Sequence, residues 1–247
     1  MALQLNLEKS RQALVLNLEK AGVKTIPEME VGLAVDVSES FKKLHLAGVT
    51  NALIARLTAW GLTFDPDGKL DCMTFSDGPE NVVYVGEITA DNFSDFVATK
   101  IIGKVKGWCG ATHYHYFVNR MLEHFGWRKT VEKAGFLGRL FGQQDREVDS
   151  GPKRRSLIIA LTDGDNTDHA ATIEALRQSQ ERKDHVYFLF IGVRNEGSTF
   201  PFLESIGDTF SNTGFAHIDD LKTFVNLSDE EINAQLISDE LIEWLKA

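Results

Sequence analysis

Short apolar runs alternate with helical patterns along this chain. Val31–Val35 is the first run, partly β-branched and unbroken by charge, and it predicts a strand buried on both faces of a parallel sheet. Phe41, Leu44, Leu46 and Val49, then Leu53, Ile54 and Leu57, recur at roughly helical spacing and predict a helix behind it. Leu70–Phe75 predicts a second strand, and Val82–Val85, after the turn S-D-G-P, a third at an antiparallel edge. Phe93, Phe96, Val97 and Ile101 suggest a helix. The stretch G-W-C-G-A-T-H-Y-H-Y-F-V-N-R-M-L then reads as a glycine-flanked loop entering a helix that ends near Gly126. Ser156–Leu161 is the clearest central strand, followed by a helix over Ala170–Glu181. Val186–Val193 is another strand buried on both faces. Phe202–Ile206 predicts a short helix, Gly214–Ile218 a short strand, and Asp229–Lys246 a closing amphipathic helix.

Residues 3–21 are leucine-rich, with Leu7, Leu14 and Leu18 near one helical face, and Pro27 ends that pattern. Asp65-Pro66-Asp67-Gly68 has the residues of a type I turn, and an EF-hand reading fails because the remaining ligands are missing. The alternation predicts an α/β fold: a doubly wound, mostly parallel sheet, helices on both faces, one antiparallel edge strand. The expected division is a helical leader over 1–28 and one domain over 29–247. Residues 128–155 look like an insertion, carrying eight Lys/Arg against four Asp/Glu. Residues 219–247 carry eight Asp/Glu against two Lys, and the simplest reading of the last helix is a solvated acidic face.

Composition narrows the function classes. A formal net charge of -10 argues against non-specific nucleic-acid binding, which depends on neutralising phosphates. Cys72 and Cys109 are far apart and lack metal-type spacing, so a reducing, cytoplasmic location is expected. The opening M-A-L-Q-L-N-L-E-K-S-R carries charges too early for a signal peptide, and no apolar run reaches the roughly eighteen residues of a spanning helix. No membrane association is expected.

Three strand-end loops offer oxygen donors: Asp36-x-Ser38-x-Ser40, Thr112 in G-A-T, and Asp163 in L-T-D-G. Carboxylates and hydroxyls form an all-oxygen set suited to hard divalent cations. In open α/β sheets such loops lie where ligands bind. Taken singly, each has a bland explanation, such as a serine capping a helix. Together they can meet at one point if their strands are neighbours.

With these motifs in this order, the chain closely resembles the von Willebrand factor A (vWA) family over roughly residues 29–225. That family's metal-ion-dependent adhesion site, MIDAS, is built from D-x-S-x-S, a distant Thr and a distant Asp. The resemblance implies a vWA/Rossmann-like fold and a site of Asp36, Ser38, Ser40, Thr112 and Asp163. It implies that Ser38, Ser40 and sometimes Thr112 bind the cation directly, and that Asp36 and Asp163 act largely through water. Mg2+ is the first choice of cation, with Ca2+ or Mn2+ as alternatives. The implied partner is another protein, which supplies a carboxylate to the open position. L-T-F-D-P-D-G-K-L-D and G-A-T-H-Y are similar to the bacterial and phage tellurium-resistance (TerF/TerY-like) branch, associated with stress response. Glu39 departs from the usual Gly at the fourth motif position, and could supply an internal ligand or add negative charge.

Other candidates read as structural. His113 and His115 are spaced i, i+2, which diverges on a helix, and packing or surface roles are expected. His169 reads as the start of a helix and Cys109 as a small packed residue. Gly135–Gly142 combines apolar pairs with basic flanks; packing back on the body is the first expectation, a partner-binding projection the second and a membrane-surface role the last. No dinucleotide, Walker or nucleophile-elbow motif occurs, so no catalysis is expected. The enzymatic alternative, a metal-dependent phosphohydrolase with Asp36 as nucleophile, wants a second Asp where Ser38 stands. A structural or assembly protein with a vestigial metal site is the remaining alternative.

Overall fold

A computed structural model describes residues 7–132, 146–164, 166–195 and 197–247. Its strands are β1 (Glu30–Asp36), β2 (Leu70–Phe75), β3 (Val83–Ile88), β4 (Thr130–Glu132), β5 (Arg146–Val148), β6 (Ser156–Thr162), β7 (Val186–Val193) and β8 (Thr213–Ile218). Six of them form one sheet in the order β3-β2-β1-β6-β7-β8. β1, β2, β6, β7 and β8 run parallel, and β3 pairs antiparallel with β2 at the edge, with a bulge at Cys72/Met73. The predicted doubly wound α/β architecture and its antiparallel edge are therefore observed. β1, β2, β6 and β7 are almost wholly buried along their length, as apolar runs sealed on both faces must be.

The described helices are α1 (Leu7–Lys20), α2 (Lys42–Leu46), α3 (Val49–Phe64), α4 (Tyr114–His124), α5 (His169–Glu181), α6 (Pro201–Thr209), α7 (Leu221–Phe224), α8 (Asp229–Leu236) and α9 (Asp239–Lys246). One core lies between the sheet and α1, α3, α8 and α9. The other lies between the sheet and α4, α5 and α6. Leu14 and Leu18 of α1 are fully buried in the first core, and Ser10 of α1 donates to Asp229 at the start of α8, 2.9 Å away. Gly32 lets α4 approach β1 closely, because a Cβ there would stand 2.9 Å from the Phe125 ring.

Three element boundaries differ from the pattern-based expectation. The helix expected from Phe41 onward is two helices, parted at Gly48, whose φ of 75° suits glycine. The closing helix is also two, because Ile237 is extended and Ser238 caps α9 by accepting from the Leu241 amide. Phe93–Ile101 forms turns and one π-helical turn at Val97–Ile101. The apolar periodicity survives each break because packing, not hydrogen bonding, selects it.

Within the basic insertion, β4 and β5 pair antiparallel, Thr130 opposite Val148. The segment 135–142 lies outside the described residues. Among the described residues, no helix is long and apolar enough to cross a membrane.

Strand order places the functional loops. β1 sits between β2 and β6, so the chain leaves β1 toward one side and later returns on the other. Connections diverge at such a switch point, and ligands of open α/β sheets bind there, beyond the carboxyl ends of the strands. Asp36 ends β1 and Thr162 ends β6, side by side at that switch point.

Candidate functional site

The loop after β1 is clamped by its neighbours before any side chain acts. Val37 donates its amide to Phe75 of β2 at 3.0 Å, and accepts from the Cys109 amide at 2.8 Å. Glu39 donates to the Gly110 carbonyl at 3.0 Å, and Ser38 forms a parallel bridge with Gly110. Gly107 also lets this loop lie against the end of β2: its φ is 80°, and a Cβ there would lie 2.3 Å from Ser76 Oγ. The Thr112 loop is thereby held against the Asp36 loop.

All five predicted residues converge. Asp36 is fully buried; its Oδ1 accepts from the Ser38 amide at 2.8 Å. Its Oδ2 accepts from Thr162 Oγ1 at 2.7 Å and from Thr112 Oγ1 at 3.5 Å. Ser38 Oγ and Ser40 Oγ are 3.1 Å apart, and Ser40 Oγ donates to Asp163 Oδ1 at 2.8 Å. A carboxylate can only accept, so Ser40 directs its single hydrogen to Asp163 and has none for Ser38. Hydroxyl lone pairs remain for a further electrophile.

Burial and the nearby Asp163 carboxylate push the Asp36 carboxyl up to about 7, against the bonds from Thr162 and Ser38. Behind it, His45 is buried, with Nε2 2.8 Å from the Asp36 carbonyl oxygen and its ring between Phe41 and Trp108. Burial pushes the His45 imidazole down to about 4, so it is neutral at physiological pH.

Several residues outside the five hold the site, and pattern reading missed them. Thr162 precedes Asp163 in L-T-D-G, where the aspartate is the more obvious ligand. Asn195, two residues past β7, donates from Nδ2 to Asp163 Oδ2 at 2.8 Å and to the Ser40 carbonyl at 2.7 Å. Its position at a strand's carboxyl end was the available signal. Asp168 accepts the Tyr114 amide at 3.0 Å and the His115 amide at 2.8 Å, capping α4 from another loop. Tyr114 OH reaches Thr162 Oγ1 at 3.1 Å and the Gly164 carbonyl at 2.5 Å. These bonds tie the Thr112 and Asp163 loops together.

The remaining candidates stand apart from the oxygen cluster. Glu39 is exposed and pairs with Lys42 at 3.3 Å. His113 contacts Thr167 at 2.9 Å and His115 contacts Asp168 at 2.5 Å, both positions at the start of α4. His169 opens α5 and stacks on Phe202. Cys109 is half-buried with a φ of 66°, an uncommon conformation for a non-glycine residue.

The donor set fits a hard divalent cation. It consists of two buried carboxylates at the ends of neighbouring strands, whose repulsion a cation would relieve, and three hydroxyls. Among the described residues, no group of three or more His, Cys, Asp or Glu could hold a metal, so hydroxyls would have to share the coordination.

A twisted parallel sheet with these loops at its switch point defines a vWA-type α/β domain. The family vWA-TerF-like, described as the vWA found in the TerF C terminus, matches residues 28–247, and the chain belongs to it. The uncharacterized protein YcbR of Bacillus subtilis (strain 168) is 25% identical over 243 residues, spanning 94% of this chain and 86% of that protein. Proximal thread matrix protein 1 of the mussel byssus has a similar fold, with a TM-score of 0.50 and 12% identity over 87% of this chain. This chain spans about half of that one, 49%. A manganese-loaded TRAP protein of Plasmodium vivax aligns with a TM-score of 0.45 and 14% identity, over 80% of this chain and 70% of its own.

Proposed function

We propose that this chain is a divalent-cation-dependent protein-binding module rather than an enzyme. The observation that carries the reading is the convergence of Asp36, Ser38, Ser40, Thr112 and Asp163, from three loops, through contacts of 2.8 to 3.5 Å. Ser38, Ser40 and Thr112 would hold the cation, with Asp36 and Asp163 behind them. Bound there, a cation would supply a positive charge, only partly compensated, at the carboxyl ends of the strands. Neutral hydroxyls leave much of that charge available for a carboxylate of a partner protein. Mg2+ is the favoured cation, with Ca2+ or Mn2+ as alternatives. Membership of the TerF-like family supports a role in a bacterial or phage stress-response system of the tellurium-resistance type. Two unpaired cysteines accord with a cytoplasmic setting.

Isothermal titration of MgCl2, CaCl2 and MnCl2 into the wild type and Asp163→Ala tests the reading. Saturable binding by the wild type that disappears in the variant is expected. Equal binding by both proteins would place the cation elsewhere. No binding by the wild type would favour a structural or assembly role.

A further inference from the structure

We infer that Asn195 is a positioning residue of this site, and that through it the carboxyl end of β7 supplies a fourth arm. The inference rests on the cation reading above. Its basis is one carboxamide nitrogen placed between two site loops. Nδ2 has two hydrogens; one lies toward Asp163 Oδ2 at 2.8 Å and the other toward the Ser40 carbonyl at 2.7 Å. Asn195 thus connects the end of β7 to loops 32 and 155 positions away in sequence.

The arm itself is braced for this task. The Asn195 amide donates to Ser198 Oγ at 3.0 Å, and the Ser198 amide returns to the Asn195 carbonyl at 3.0 Å. Arg194 donates its amide to Ile218 of β8 at 2.8 Å. The Asn195 backbone is therefore tied to Ser198 through both its amide and its carbonyl, and the preceding residue is tied to β8.

Two consequences follow for the cation site. With Oδ2 engaged by Asn195, the Asp163 carboxylate is turned so that Oδ1 meets Ser40 Oγ at 2.8 Å. With its carbonyl pinned, Ser40 keeps its hydroxyl beside that of Ser38. The chemistry of an amide matters as well. A lysine here would neutralise Asp163, and an aspartate would repel it. A neutral donor orients the carboxylate while leaving its charge available to a cation.

The test compares Asn195→Ala with the wild type and Asp163→Ala, reading two quantities. One is the affinity for MnCl2 and MgCl2 by isothermal titration; the other is Tm in EDTA. Removing a hydrogen-bond partner of a metal-site carboxylate costs about 10- to 100-fold in affinity. Asn195→Ala is therefore expected to bind at least about tenfold more weakly, with its cation-free Tm within a few degrees of wild type. A merely structural role would lower the cation-free Tm and leave the affinity of the folded protein unchanged. Affinity within about twofold of wild type would overturn the inference while leaving the cation reading intact. A wild type that binds no cation, or an Asp163→Ala variant that binds normally, would overturn both. Should Asn195→Ala fail to fold, Ser198→Ala decides: weakened binding supports the inference, and unchanged binding overturns it.

Discussion

Thr162 Oγ1 donates to Asp36 Oδ2 at 2.7 Å across 126 positions of sequence, and both residues are fully buried. This bond joins the carboxyl ends of two adjacent parallel strands beneath the oxygen cluster. It holds a carboxylate that burial and Asp163 together disfavour in its charged form. Thr162→Val keeps the shape and removes the donor, leaving Asp36 with less compensation. The expected loss is about 1–3 kcal/mol of unfolding free energy near pH 7.5. Urea denaturation in EDTA measures it; an unchanged midpoint would mean that the bond contributes nothing net.

Asp168 links two loops of the site through the first turn of α4. Burial alone would push its carboxyl up, but bonds from the His115 amide and the Asn166 and His115 side chains carry it below the usual carboxylate range. Asp168→Ala leaves the amides of Tyr114 and His115 without this acceptor. A cost of about 1–2 kcal/mol is expected. Amide hydrogen exchange gives the local readout: Tyr114 and His115 should exchange faster, while β7 amides keep their protection.

Away from the site, Asp65 supplies a pH dependence. It is buried at the turn after α3, and burial pushes its carboxyl up to about 6, against bonds from the amides of Asp67 and Val31. A carboxyl whose pKa is higher folded than unfolded favours the folded state most when protonated. Its contribution is fully present below about pH 4 and is lost as pH rises through about 6. Asp65→Asn cannot titrate. Relative to this variant, wild-type stability in urea should fall between about pH 4 and 6 and then level off. A difference that is flat across that range would show that Asp65 titrates alike in both states.

Local chemistry explains why so much was legible in the sequence. A strand sealed on both faces must be apolar, so Val31–Val35 and Ser156–Leu161 announce themselves. Asp36 follows the first run directly and Asp163 the second, with Thr162 between, so two site loops could be located by where apolar sequence stops. The third, around Thr112, was legible from glycine-rich sequence entering a helical pattern.

Helix boundaries were less legible, because apolar spacing is blind to backbone conformation. Leu236 and Leu241 are both buried, and nothing in their spacing shows that the helix stops at Ile237 and restarts at Asp239. The N-terminal Leu14 and Leu18 announced a helical face but not the α3 and α8 surfaces that receive it.

By itself the sequence determined the six strands of the main sheet, the α/β class and the polar residues at the strand ends, because burial and backbone alternation act over a few neighbouring positions. Only the tertiary structure decided that β1 and β6 lie side by side, that Thr162 supports Asp36, and that Asn195 reaches both Asp163 and Ser40. Those contacts depend on strand order and register, which arise from packing between distant segments and leave no periodic trace along the chain.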